Sequence, residues 1–332
     1  MSNDVGKEMH SGNHMLNGPI KKPHSGDYSL NDLTKKPLSG DYSLNDLTKK
    51  PLSGDYGLND LTKKPLSGDY KLSIVHLYPD LLNLYGDRGN IQCLRMRCKW
   101  RGIDAQVTEC NLDDRLSLAS ADIVLLGGGS DREQQIVCTR LQQVRPELRD
   151  YVEDDGTLIA ICGGYQLLGH YYDTPEGRMK GLSLVDLYTE QGSPRLISNI
   201  VLRNDSLPES ISGSSPSIPS GALSVDQPDS LPYEIVGFEN HGGRTYIGDN
   251  MPFGKVLYGH GNNGKDACEG VLYRNVIGTY LHGPLLPKNP HVCDLLLQKA
   301  LSRKYGVSLT DFPALDDSLE KEANRAVLSR YL

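Results

Sequence analysis

The chain has 332 residues, 35 Lys and Arg against 42 Asp and Glu, a formal net charge of −7, and 38% hydrophobic residues. An acidic balance without a basic cluster excludes a nucleic-acid partner as the leading expectation, because such affinity rests on phosphate neutralisation. Nor is membrane insertion expected: the most apolar uncharged stretch, residues 156–172, is broken by Gly, Gln and His, and the N-terminus has no apolar signal-peptide core.

Residues 1–70 form a region of their own. Lys21–Thr34 reads KKPHSGDYSLNDLT, and near-copies begin at Lys35, Lys49 and Lys63, a period of 14 residues. That period is shorter than those of the helical-repeat families. Each unit combines Lys-Lys-Pro, Ser-Gly-Asp and Asn-Asp, all turn or coil chemistry. One Tyr and two or three Leu per unit bury too little area to offset chain entropy, so a disordered tail is expected. The alternative is an array of short docking motifs built on Asp-Tyr-x-Leu.

From Lys71 the pattern becomes that of a folded domain, expected over 71–305. Strands are predicted at Lys71–Tyr78, Ala105–Cys110, Asp122–Leu126 and Thr157–Cys162, with helices at Asn90–Trp100 and Asp131–Val144. Strands alternating with helices across short Gly-rich turns define the expected fold class: α/β, with a mixed, largely parallel sheet flanked by helices. Short strands follow at Ile200–Leu202, Ile235–Phe238, Lys255–Tyr258, Gly270–Tyr273 and Val276–Leu281. A helix from about His291 to Tyr305 closes the domain. The Ser- and Pro-rich stretch 206–230 reads as a surface insertion, and 306–332 as a C-terminal extension with a polar helix over Ser318–Tyr331.

The chemistry concentrates at Cys162. In TLIAICGGYQLLG, residues 157–169, a buried strand runs directly into Cys-Gly-Gly and then into helical periodicity. This is a strand–nucleophile–helix elbow, in which Gly163 and Gly164 leave room for a tight turn. The thiol would stand at the carboxyl edge of the sheet, and the helix N-terminus behind it is expected to lower its pKa. The competing reading is a buried structural Cys at a strand end. Cys93, Cys98, Cys138 and Cys293 lie within helical patterns and read as filler. Seven Cys in all, with no dense framework, suggest free thiols and a cytoplasmic location.

Six motifs carry a family resemblance: LNLYGDRGN (Leu82–Asn90), GGGSDREQ (Gly127–Gln134), ICGGYQLLG, FENHGGRTY (Phe238–Tyr246), YGHGNN (Tyr258–Asn263) and GTYLHGPLLPKN (Gly278–Asn289). In this order they resemble the class I (triad-type) glutamine amidotransferases of the cobyric-acid-synthase-like branch, which are flavodoxin-like in fold. The resemblance implies that Cys162 attacks the carboxamide of L-glutamine and that His282 is its general base and acid. Backbone N–H groups of Gly163 and of Gly128 or Gly129 would hold the oxyanion. Arg195 would hold the substrate carboxylate, with Gln166 a polar contact in the same pocket. Asn240, His241 and Arg244 would line the site edge or organise its loop. Many relatives carry His-x-Glu, whereas this chain has His282-Gly283-Pro284, so the third triad member must come from elsewhere.

Gly259–Lys265 (GHGNNGK) mimics two nucleotide-binding signatures, but Asp266 follows and the next residues read as strand, so a Gly/Asn hairpin is expected. No paired metal-ligand spacing appears, and no cofactor is expected in this chain. A chain that releases ammonia but cannot activate an acceptor needs a synthase. The resemblance implies a heterodimer with a Mur-ligase-like partner, using ATP and Mg²⁺ to amidate the D-glutamate α-carboxyl of the lipid II stem peptide in peptidoglycan biosynthesis. Amidation of another acceptor, such as a corrinoid, and a non-catalytic binding module that keeps the elbow as a relic are the alternatives.

Overall fold

The computed structural model describes Leu66 and residues 68–204, 234–306 and 312–332. The first three 14-residue repeats and the 206–230 insertion therefore lie outside the described residues, and of the copy that begins at Lys63 only Leu66 and residues 68–72 lie within them.

The central sheet has six strands in the order β11-β12-β4-β3-β1-β2. They are β1 (Lys71–Leu77), β2 (Asp104–Cys110), β3 (Ile123–Leu126), β4 (Thr157–Ile161), β11 (Val271–Tyr273) and β12 (Val276–Thr279). All neighbours run parallel except β11, which pairs antiparallel with β12. Every residue of β3, β4 and β12 is buried, as expected of a parallel sheet covered on both faces. Helices α1 (Arg88–Trp100), α2 (Asp131–Gln143), α3 (Arg145–Glu153), α4 (Gly163–Leu168), α5 (Leu285–Lys288) and α6 (Pro290–Tyr305) accompany these strands. The start of α2 is set by a capping box: the Ser130 side chain accepts from the Glu133 N–H, and the Glu133 carboxylate accepts from the Ser130 N–H.

Four adjacent strands end on one side. From β12, β4, β3 and β1 the chain leaves at His282, Cys162, Gly127–Gly129 and the Tyr78–Asp87 loop respectively. The strand order alone brings these segments together at the carboxyl edge, where open α/β sheets bind ligands.

A second sheet, β10-β9-β7-β5-β6 with β8 paired to β7, stands beside the first. Its main feature is a long antiparallel pair, β7 (Tyr188–Arg203) and β8 (Glu234–Tyr246), with a register shift between Gln191 and Leu196. Short strands β5 (Tyr171–Thr174), β6 (Gly177–Lys180), β9 (Gly254–Tyr258) and β10 (Cys268–Glu269) complete it. Sequence patterning registers only the apolar ends of β7 and β8, because the rest (YTEQGSPRLISN, FENHGGRTY) carries the Gly, Pro and polar residues of a loop. Backbone hydrogen bonds between Phe238 and His282, 3.3 and 2.8 Å long, join β8 to the end of β12.

The C-terminal extension is held by buried charge. Arg97 on α1, 1% exposed, donates to Asp294 on α6 at 2.6 Å and to Asp317 at 2.5 Å; Arg101 donates to Asp294 at 2.7 Å. Asp317 precedes α7 (Ser318–Tyr331), whose Asn324 donates to the Lys288 carbonyl at 3.1 Å. Arg101 also stacks over Phe312. All seven cysteines are free, and no helix among the described residues is long and apolar enough to cross a membrane.

Candidate active site

Cys162 sits between β4 and α4 with φ 50° and ψ −103°, a left-handed conformation that side-chain-bearing residues rarely adopt. Its N–H donates to the Thr279 carbonyl at 2.8 Å and its carbonyl accepts from the Gln166 N–H at 3.0 Å, so β12 and α4 fix the elbow from both sides. The neighbouring glycines are required by space. A Cβ on Gly163 would lie 2.8 Å from Gln134 Cδ, and one on Gly164 would lie 2.6 Å from the Leu126 carbonyl oxygen.

Gly128 locates the reactive pair. A Cβ built on it would meet His282 Cε1 at 3.1 Å and Cys162 Cβ at 3.2 Å, so the imidazole and the nucleophile converge on one glycine. Both ring nitrogens of His282 are buried without a hydrogen-bond partner, and no carboxylate among the described residues bonds either one. Tyr85, at φ 60° in the β1–α1 loop, packs edge-on against the His282 ring with centroids 4.8 Å apart.

Burial governs the protonation of the pair. It pushes the Cys162 thiol up to about 12; the nearby Asp87 charge adds to the rise, while the Gly163 N–H and Arg195 oppose it. The expected depression by the helix N-terminus is thus outweighed: α4 is only six residues long and the sulfur is out of water. His282 is lowered to about 4 by burial and by the neighbouring His241. Both shifts favour the uncharged forms, thiol and imidazole, in the site as it stands.

The glycine loop gives a sharper answer than the sequence allowed. The Gly128 N–H, one of two expected oxyanion donors, is already bonded to Asp87 Oδ2 at 2.8 Å. The Gly128 carbonyl accepts from the Leu84 N–H at 2.9 Å, and the Gly127 carbonyl from the Gly164 N–H at 3.1 Å. No hydrogen bond joins the Gly129 N–H to another of the described residues. Of the glycine-loop N–H groups expected at the oxyanion, that of Gly128 is thus taken by Asp87, while that of Gly163 lies against the Cys162 sulfur.

The β7–β8 pair forms the other wall. Arg195, at the β7 irregularity, is exposed; its Nε donates to Asn240 Oδ1 at 3.0 Å and its Nη2 to the Asn240 carbonyl at 2.9 Å. This clamp presents the guanidinium with Nη1 unbonded, and its charge reaches the Cys162 sulfur. Asn240 Nδ2 donates in turn to the Tyr85 hydroxyl at 2.6 Å. His241 is buried: Nδ1 pairs with the Gly243 carbonyl at 2.9 Å and the ring stacks on Tyr280, 3.6 Å between centroids. Gln166 is also buried and donates to the Tyr280 hydroxyl at 3.1 Å, which shares a 2.6 Å bond with Thr245. In this structure His241 and Gln166 build the floor beneath the site. Arg244 ties the Gly242 and Gly243 carbonyls to Pro194.

Gly259–Lys265 connects β9 to β10, and the N–H groups of His260 and Gly261 are occupied by the buried Glu239 carboxylate at 2.7 and 2.9 Å. A carboxylate already fills the place a phosphate would take. No cluster of three or more His, Cys, Asp or Glu suited to a metal occurs among the described residues.

A cysteine elbow, an imidazole, a glycine loop and an arginine clamp at the carboxyl edge of a parallel sheet define the class of triad-type amidotransferases. Residues 73–290 match the CobB/CobQ-like glutamine amidotransferase domain, and the chain belongs to that family. It is 40% identical over 261 residues to the lipid II isoglutaminyl synthase (glutamine-hydrolyzing) subunit GatD of Staphylococcus aureus, spanning 78% of this chain and 96% of that protein. The same subunit of Streptococcus pneumoniae is 37% identical over 255 residues, 76% of this chain and 88% of that one. A probable cobyric acid synthase of Methanosphaera stadtmanae is 31% identical over 136 residues, 38% of this chain but 23% of that protein.

Proposed function

We propose that the chain is the glutamine-hydrolysing subunit of a two-subunit amidotransferase that converts the D-glutamate α-carboxyl of lipid II to D-isoglutamine. The observation that carries the glutaminase reading is the convergence of Cys162, in its left-handed elbow, and His282 on Gly128. The acceptor is inferred from the two relatives matched over nearly their whole length, against under a quarter of the cobyric acid synthase.

Arg195 holds the α-carboxylate of glutamine and the side-chain carboxamide lies over Cys162. His282 takes the thiol proton as sulfur bonds to the carboxamide carbon, and the oxygen becomes an anion held by the Gly129 and Gly163 N–H groups. Collapse breaks the C–N bond; the His282 proton goes to the departing nitrogen, which leaves as ammonia. Water then attacks the thioester with His282 again as base, releasing glutamate and the thiol. Ammonia passes to a Mur-ligase-like partner, in which ATP and Mg²⁺ activate the acceptor carboxylate by phosphorylation. The unpartnered ring nitrogens of His282 support an acidic residue of that partner as the third triad member.

The test is ammonia release from glutamine by the wild-type chain and by Cys162→Ala, each with and without the synthase. Release that depends on Cys162 supports the reading, and equal release from both removes it. A structure of the complex with no carboxylate near the His282 ring would end the shared-triad proposal.

A further inference from the structure

Asp87 is 0% exposed, belongs to the LNLYGDRGN motif, and has no role in the mechanism above. Its Oδ2 accepts from the Gly128 N–H at 2.8 Å, and its Oδ1 is buried without any partner. Burial raises it to about 7 against the pull of the Gly128 N–H, and it is close enough to Cys162 to raise the thiol as well. A carboxylate kept so deep beside a nucleophile, at the cost of an unsatisfied oxygen, calls for a reason.

The loop supplies it. In the Gly127–Gly128 peptide the carbonyl points to the Gly164 N–H of α4, and the N–H points the other way, to Asp87. In the next peptide the Gly128 carbonyl points to Leu84, on the same loop as Asp87. A trans peptide directs its N–H opposite to its carbonyl, so the Gly129 N–H faces away from Leu84, on a peptide that starts from Gly128, the glycine whose Cβ position adjoins Cys162 and His282. Releasing Gly128 from Asp87 would let the first peptide turn over and unsettle the second.

We propose that Asp87 is a positioning residue for glutamine hydrolysis: by holding the Gly128 N–H it orients the glycine loop so that Gly129, and not Gly128, gives its N–H to the oxyanion. Asp87 acts through the backbone and does not touch substrate. The inference rests on the glutaminase reading.

Its test uses the full chain in complex with its synthase, as wild type, Asp87→Ala and Asp87→Asn. Two rates are read: steady-state glutamine hydrolysis, and alkylation of Cys162 by iodoacetamide, which needs the thiol but forms no oxyanion. Asp87→Ala is expected to lower kcat about a hundredfold, the scale of a lost oxyanion donor, with little change in KM. Alkylation should be no slower than in wild type, because a negative neighbour of the thiol has gone. Asp87→Asn keeps an acceptor for the Gly128 N–H and should recover most of the loss. Hydrolysis by Asp87→Ala at or above the wild-type rate would overturn the proposal. So would a parallel fall in alkylation, or an Asn variant no better than Ala. A wild-type complex that releases no ammonia would instead overturn the glutaminase reading, and this inference with it.

Discussion

The Tyr85 ring stands edge-on to the His282 imidazole, centroids 4.8 Å apart, and its hydroxyl is tied to Asn240 at 2.6 Å. Tyr85 is 43% exposed while His282 is fully buried, so this ring of the β1–α1 loop lies between solvent and one face of the proposed base. A partner carboxylate would have to pass it. Tyr85→Ala in the isolated subunit should make His282 several times more reactive toward diethylpyrocarbonate, read by peptide mass spectrometry. The fold should tolerate the change, because an aromatic edge contact contributes about 0.5–1.5 kcal/mol. Equal labelling of both proteins would show that Tyr85 is not the cover.

In the proposed mechanism Arg195 binds substrate and does not stabilise charge that appears during reaction. Removing it should raise KM for glutamine by roughly 10–100-fold with a smaller change in kcat, since a charge-assisted hydrogen bond contributes about 1.5–3 kcal/mol. Arg195→Lys should rescue poorly, because lysine has no Nε to hold Asn240 and no fork to offer the carboxylate. A loss confined to kcat would contradict this assignment.

Asp294 accepts from two buried guanidinium groups, Arg97 and Arg101. Asp294→Ala leaves both short of a partner and should cost about 3–5 kcal/mol in chemical denaturation, far from the site and without altering KM in protein that remains folded. A cost below about 1 kcal/mol would mean that Asp317 and solvent compensate.

Stability should peak at about pH 6.3, where the histidine and carboxyl contributions to the slope cancel. Buried His76, His282 and His291 are each lowered to about 4, so the unfolded chain binds their protons first and stability is lost as pH falls from about 6.5 toward 4. Asp87 and Glu269 are raised to about 7 and about 8, so the folded chain holds their protons and stability is lost as pH rises through those values. Between about pH 5 and 6.3 three histidines outweigh two carboxyls, a net slope of at most about 1.4 kcal/mol per pH unit. Glu269→Gln should flatten the alkaline side in denaturant titrations; an unchanged alkaline limb would contradict the assignment.

The elements legible in the sequence are those whose burial leaves a periodic trace. Strands β3 and β4 are short apolar runs, and Cys-Gly-Gly after β4 announces the elbow. Residues 188–199 and 239–246 hid most of β7 and β8, because a strand that lines a polar site carries Arg195, Asn240 and His241 where an ordinary strand carries apolar residues. Asp87 was legible only as part of a motif. Its role depends on one side-chain bond across 41 positions, which no local pattern encodes. The direction of the thiol's shift is hidden for a related reason: the helix N-terminus is visible in sequence, whereas the depth of burial that raises Cys162 is a property of the packed whole.

The most direct test of the account is rapid-quench peptide mass spectrometry of the chain, with its synthase, during glutamine turnover. A glutamyl adduct on the Cys162 peptide, formed and consumed at rates compatible with ammonia release and absent in Cys162→Ala, is the expected result. Ammonia released at the wild-type rate with no adduct on Cys162, or by the alanine variant, would contradict it.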